Sequence, residues 1–420
     1  MRYKFLVLII FSIVSAQSLF NRFLGADSFS GSSRSTAMGK THLLNSTGSH
    51  NVRFNPAMLS AKDNDIGFDF QVNRFSSFER WSMPMRDSFD EVLVIGDYVS
   101  NEFSKFLVTG GATMSLKIPF IGNLGVGFRH YPLTHFTYAY SEEVRGSYRL
   151  DDGEYSSKDP IVGYHNYNVD GTIMTSTVGV GANLNLIGDL SPSIGFSISS
   201  TQPFKITHEI IVDSLYSDVT NLSEYTDAMM VFETAASEIF FGVNFQLDIS
   251  TRNSISILFE DKFSINFTEN NLDFSIGVDS TLYIKPQLIS LSWVQSSTEL
   301  TPLAFAFQVD QFSYIDDEDN DDFYKWKFGF EYMTQLGTPV RGGLVYTSER
   351  DKTFFPSTTM FTFGSGKNIG DISIDISGTY ELFTFQHVDL FPVENDVRPN
   401  EYDIIRDSQL NLFLAVSYSF

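Results

Sequence analysis

The 420-residue chain has no cysteine. That excludes disulfides, zinc–thiolate sites, iron–sulfur ligation and a lipid-modified N-terminal cysteine. Positive charge is scarce: 28 Lys and Arg stand against 51 Asp and Glu, a net charge of −23. Neutralising phosphates requires clustered Lys and Arg, so no nucleic acid is expected as partner. Beyond the first residues no stretch approaches the ~18 consecutive apolar residues of a transmembrane helix. Enzyme signatures are missing too. Gly39-Lys40-Thr41 resembles the end of a P-loop, but Arg34 stands where Gly is required. Gly364-Ser365-Gly366-Lys367 lacks the spacing, no Gly-x-Ser-x-Gly elbow occurs, and the seven His form no His-x-His or His-Glu-x-x-His pair. The sequence therefore offers no catalytic, metal or cofactor residue and predicts a non-enzyme.

What the chain has in quantity is aromatic. Its 41 Phe, 19 Tyr and 3 Trp make up 15% of the residues. They alternate finely with polar residues. Ile66, Phe68, Phe70 and Val72 interleave with Asp65, Gly67, Asp69 and Gln71, and Trp326, Phe328, Phe330 and Tyr332 with Lys325, Lys327, Gly329 and Glu331. A period of two places each set on one face of a strand. The pattern continues over most of the chain without a covering helix, which calls for one large closed sheet.

The organisation follows. Arg2 and Lys4 precede the apolar run Phe5–Val14, and Val14-Ser15-Ala16 has the small residues of a cleavage site. Residues 1–16 read as a secretory signal peptide, the alternative being a buried first helix. Residues 17–64 have no strand period. Residues 65–420 divide into strands 65–83, 108–119, 123–143, 171–187, 192–212, 236–249, 252–267, 270–295, 301–312, 322–334, 339–349, 357–366, 369–385 and 405–420. The fold expected is all-β: a transmembrane antiparallel β-barrel of about fourteen strands, an even number as such barrels have, with an N-terminal hatch segment. Connections alternate between short (120–122, 188–191, 250–251, 335–338, 367–368) and long (84–107, 144–170, 213–235, 313–321, 386–404), the pattern of periplasmic turns and extracellular loops. The link near Glu269-Asn270 is too short for its side. In the long connections, Asp87–Phe106 and Asn221–Phe232 carry apolar residues at roughly helical spacing, the second behind an Asn221/Glu224 capping box.

Charge is sorted as well. The run Asp316–Asp322 lacks the Gly and Glu of a calcium loop and reads as a solvated tip. Asp151, Asp152, Glu154, Asp159, Glu394, Asp396, Glu401 and Asp403 also fall in long connections, so the outer rim is expected to be negative and not to attract anionic solutes.

The last strand sets Leu410, Leu412, Leu414, Val416, Tyr418 and Phe420 on one face, with Phe413 an exception on the other. This resembles the C-terminal signal of outer-membrane barrels. The resemblance implies that Tyr418 and Phe420 are read by the barrel-assembly machinery, with outer-membrane lipid around the wall. A second resemblance rests on Arg34, Met38 and Gly39 in Ser33-Arg34-Ser35-Thr36-Ala37-Met38-Gly39, on Asn55, Pro56, Ala57 and Leu59 in Phe54-Asn55-Pro56-Ala57-Met58-Leu59, and on later stretches such as Phe328-Gly329-Phe330-Glu331-Tyr332 and Pro339-Val340-Arg341-Gly342-Gly343. These are similar to motifs of the FadL-like barrels and their PorV/PorQ relatives. Lys40 replaces the family's second Gly and Met58 the Gly of its Asn-Pro-Ala-Gly. The resemblance implies the outer membrane of a Gram-negative-type bacterium, a hatch at residues 17–64, and passive transport of fatty acids or other small apolar molecules. A PorV/PorQ-like secretion component and a general porin are the alternatives. A barrel of this width needs filling, because inward residues such as Gly179, Gly181, Ser373 and Ser377 are small. A plain periplasmic leader is the other reading of 17–64.

Overall fold

The computed structural model describes residues 26–28, 31–42, 46, 48–87, 89, 91–119, 122–145, 160–184, 191–215, 225–234, 236–266, 268–272, 282–298, 301–314, 321–350, 356–391 and 402–420. Fourteen antiparallel strands close into one barrel. They are β1 (Asp65–Arg86), β2 (Val92–Ile118), β3 (Gly122–Arg145), β4 (Ile161–Leu184), β5 (Ser191–Thr201 and Phe204–Ser214), β6 (Ala228–Thr234 and Ile239–Asp248) and β7 (Asn253–Glu260, Phe263–Asn266 and Thr268–Leu272). They continue with β8 (Leu282–Lys285 and Gln287–Gln295), β9 (Leu303–Ser313), β10 (Phe323–Met333), β11 (Pro339–Thr347), β12 (Thr358–Ile369), β13 (Ile372–His387) and β14 (Asp403–Ser419). Each pairs with its sequence neighbour, and β14 pairs back onto β1 from Gly67↔Ser419 to Ser82↔Ile404. No edge is left at the closure, as a lipid-embedded sheet requires.

All fourteen expected segments are present. Alternation explains the two faces: on β14, Leu410, Leu412, Leu414, Val416 and Tyr418 are exposed outward while Asn411, Phe413 and Ala415 are buried inward. Phe413, out of pattern in sequence, packs against Phe75 and Leu107, edge-on to Phe75 at 5.8 Å. Outward faces rich in Phe, Leu and Val suit acyl chains, and the inward polar residues sit where water or an inner segment can satisfy them.

The wall is uneven. Strands β9, β10, β11 and β12 have 11, 11, 9 and 12 residues, about one bilayer core. Strands β1, β2, β3 and β4 have 22, 27, 24 and 24 and extend far beyond it, away from Phe420. This overturns two expectations. Asp87–Phe106 is no helix: from Val92 it is strand, paired with β1 up to Arg86↔Val92. Its helical spacing is incidental to a run of β-branched Val92, Val94, Ile95 and Val99, which a pleated sheet accommodates better. The same holds for Ala228–Thr234, strand rather than helix, whereas Asn221 and Glu224 lie outside the described residues. The long connections 84–107, 144–170 and 213–235 are correspondingly shorter than expected. At Glu269-Asn270 the chain is still in β7, and the connection to β8 falls at 273–281, outside the described residues.

Candidate functional site

The described residues that precede β1 run across the inner face of the wall. Helix α1 (Ser33–Ala37) starts at Ser32, whose Oγ accepts from the Ser35 amide at 3.0 Å. Arg34 donates Nε and Nη2 to Glu331 on β10 at 2.9 and 2.7 Å. Glu331 also accepts from Arg341 Nε on β11 at 2.6 Å, and Arg341 reaches Asp375 on β13 at 2.5 Å. Gly39 has φ +69° and its amide donates to Thr362 Oγ1 at 2.9 Å. A Cβ there would collide with the Phe328 carbonyl, and one on Gly329 with the carbonyl of Met38. Arg34, Met38 and Gly39 therefore lie on the arc from β10 to β13.

The second motif lies on the opposite arc. Helix α2 (Asn51–Phe54) leads to Asn55, whose Nδ2 donates to Gln246 Oε1 on β6 at 3.0 Å. A 3₁₀ turn (Pro56–Ser60) follows, with Pro at its start fixing φ. The backbone of Pro56 and Ala57 sits where Gly181 and Gly195 have no side chain, and Leu59 covers Gly125 in the same way. Of the small inward residues singled out in the sequence, Gly179 takes the carbonyl of Val52 and Ser377 meets Ser33 Oγ at 2.9 Å, while Ser373 donates to Asp375 on its own strand at 3.3 Å.

Ion pairs anchor the stretch between the motifs. Arg53 grips Glu260 on β7 through Nε and Nη2 at 2.6 and 2.7 Å, and Lys285 on β8 reaches the same carboxylate at 2.8 Å. The guanidinium also lies 4.6 Å from the Phe54 ring centroid. Ser49 donates backbone and side chain to Asp69, which also takes Arg129 at 2.6 Å. His42 stacks on Phe54 at 4.6 Å, and burial, helped by the Lys327 ammonium, pushes its pKa down to about 3. Burial likewise lowers His50 to about 4. Both rings are neutral at neutral pH.

Beside this segment is a cavity of about 260 Å³. One end is aromatic and cationic: Phe312 and Phe323 stack at 4.6 Å with planes 4° apart, Lys325 stands 5.0 Å over Phe312, and Arg350 stands 4.4 Å over Phe323. Described lining residues include six cations (Lys40, Arg53, Lys285, Lys325, Lys327, Arg350) against three carboxylates (Glu260, Asp310, Glu381). The lining is thus positive in a chain of net charge −23. Most acidic residues expected on the rim, Asp151 and Glu394 among them, lie outside the described residues. Asp403, which is described, accepts from Tyr98 Oη at 2.8 Å.

The other end reaches Phe75, Leu133 and Thr134. There the wall parts. β2 pairs with β3 only from Ile118↔Gly122 to Gly110↔His130, though β2 continues along β1 and β3 along β4. β3 has a bulge between Pro132 and Thr134, and from Tyr131 to Tyr138 it is buried on both faces. A bulge re-aims a strand, and here β3 leaves its partner: Ala26–Asp27 pairs with Thr134 and His135, and Ser28 Oγ meets His135 Nδ1 at 2.7 Å. Side chains cross the parting, such as Lys105 Nζ donating to Thr137 Oγ1 at 2.7 Å. Sequence reasoning missed this seam; its signal was Pro132 inside a strand, which a central ladder rarely tolerates.

No protein-family model matches the chain, and no curated protein does. Solved structures do. The Pseudomonas putida toluene transporter TodX is 13% identical with a TM-score of 0.57, over 95% of this chain and 99% of that one. A Pseudomonas aeruginosa FadL homologue is 11% identical with a TM-score of 0.56, over 93% and 98%. The fold is that of the FadL-like outer-membrane barrels. The Ralstonia pickettii toluene transporter TbuX is similar at 11% identity and a TM-score of 0.51, over 94% and 100%. At such identities the likeness fixes the FadL-like architecture but not a ligand. Among the described residues no group of His, Asp and Glu has metal-site geometry.

Proposed function

We propose that the chain is a passive outer-membrane entry route for small hydrophobic molecules, with preference for those carrying an anionic head. One observation carries the reading: a single cavity connects an aromatic mouth bearing Lys325 and Arg350 to Leu133 and Thr134, where β3 parts from β2. A carboxylate gains at the mouth from the two cations, its tail from the stacked rings, and the seam offers an exit into lipid without crossing water. The segment 17–64 acts as the hatch, leaving this side path in place of an open lumen. A general porin gains no support, because the described interior beside the path is filled by a cluster that includes Trp81, Tyr138, Tyr167 and Phe240.

A PorV/PorQ-like secretion role is favoured by a different observation. At the β1–β2 tip Phe89, Leu93 and Val94 are 85, 69 and 54% exposed, well beyond the lipid band. Such a tip suits a protein partner.

The test uses the refolded barrel with a long-chain alkanoate, its methyl ester and the parent alkane. Saturable binding with the alkanoate strongest, and loss of that preference in Lys325→Gln/Arg350→Gln, is the expected result. Absence of saturable binding for all three would move the balance to the secretion role.

A further inference from the structure

We infer that the outward face of the β14–β1 junction is a binding site for the phosphate of a lipid headgroup. Arg80 and Arg406 stand directly opposite each other in the ladder, both exposed on the lipid side of the wall. Like charges in opposed positions destabilise a sheet. Their surroundings do little to relieve it: Arg80 has a 3.4 Å contact with the exposed Asp97, and no ion pair is formed by Arg406 among the described residues. Arg74, on the same face roughly 20 Å along the strand, leaves its buried Nε without a hydrogen-bond partner. Three arginines thus concentrate on one outward strip of a chain whose net charge is −23.

Their position selects the ligand. Between and beside them, on the Phe420 side of the Arg80–Arg406 pair, Phe78, Tyr380, Leu382 and Leu410 are exposed by 37, 41, 60 and 41%, an apolar surface that leads up to the two guanidiniums. The pair lies at the long-connection end of the lipid band, opposite Phe420, which the expected topology makes the outer leaflet. A molecule that satisfies both features has acyl chains on the apolar strip and an anionic group at the guanidiniums. Paired arginine forks match phosphate oxygens bidentately, which a single ammonium does not. The occupant is therefore a phosphorylated outer-leaflet lipid, bound directly and without a bridging cation. Neither the cavity nor the seam takes part.

The experiment is native mass spectrometry of the full chain in detergent, offered diphosphorylated lipid A, its dephosphorylated form, or inorganic phosphate. The wild-type barrel should retain the phosphorylated lipid about tenfold more than the dephosphorylated one, the scale of one charge-assisted contact. Arg80→Gln/Arg406→Gln should lose that difference, while Lys205→Gln, an exposed cation of β5, should keep it. Equal retention of the two lipids by wild type would overturn the proposal even if the double variant fails to fold. Inorganic phosphate competing as well as the lipid would overturn it in favour of a free-anion site.

Discussion

The carbonyl oxygen of Pro56 occupies the place where a side chain on Gly181 would begin. The inner segment and β4 are thus in backbone-to-backbone contact, and glycine is the residue that permits it. Gly181→Val should leave the strand register intact and displace the turn at Asn55-Pro56. The expected outcome is a folded, heat-modifiable barrel that admits large hydrophilic antibiotics and shows raised conductance in planar bilayers. An impermeable variant in normal amount would mean the segment does not fill the lumen.

Arg53 and Glu260 are both buried, 6 and 1% exposed. Removing one partner leaves an uncompensated charge, which costs about 3–5 kcal/mol. Glu260→Ala should therefore lower urea resistance by that order. Arg53→Met/Glu260→Leu/Lys285→Met should recover much of it, because all three desolvated charges of the cluster go together. Equal losses in the single and triple variants would show that packing, not charge, is at stake.

Acid should loosen the inner segment. His42 and His50 have folded pKa values of about 3 and about 4, below the unfolded 6.5, because burial disfavours the imidazolium. Their contribution is fully present above pH 6.5 and is lost as pH falls toward 4 and then 3. Stability measured from pH 7 downward should fall over that window, with a shallower slope in His42→Gln/His50→Gln. Identical slopes would remove these rings from the acid response.

A chain without cysteine makes single-site labelling clean. Phe89 and Leu336 are each 85% exposed, at opposite ends of the barrel. A membrane-impermeant maleimide should label Phe89→Cys on intact cells and Leu336→Cys only after lysis. The reverse result would invert the orientation and move the proposed lipid site to the inner leaflet.

Phe420 and Tyr418 both face outward beside β1, and Phe420 stacks with Phe68 at 6.4 Å. Changing Phe420 to Lys should reduce the amount of folded barrel in the membrane, both through the assembly signal and through charge at the lipid face, up to ~2–4 kcal/mol at mid-depth and less near the interface. An undiminished heat-modifiable band would count against that role.

The strands were legible because period-two alternation is a local property, and it needs no knowledge of partners. Strand ends were less so. Toward its far end the outward face of β2 is less strictly apolar, and Ser100 and Glu102 blur the alternation that Val108 and Leu116 display. The motif residues Arg34 and Asn55 could be named in advance, and Gly181 as a small inward residue, but not that Arg34 would meet Glu331, Asn55 Gln246, and Pro56 and Ala57 the places of Gly181 and Gly195. Periodicity says that a residue faces inward and not which arc it meets. The cationic mouth was hidden for a related reason: Lys325 and Arg350 are far apart in rank from Lys40, and only closure of the ring gathers them.

That closure has a consequence in time. Arg34 docks on Glu331, 297 positions later, Gly39 on Thr362, 323 later, and Ser33 on Ser377, 344 later. The N-terminal segment thus finds half of its footing on strands made last. Until β10 to β13 exist, Arg34 has no carboxylate to hold, and once β14 has sealed against β1 the segment can no longer enter from the side. Seating of the N-terminal residues therefore cannot be complete before β10 to β13 are in place.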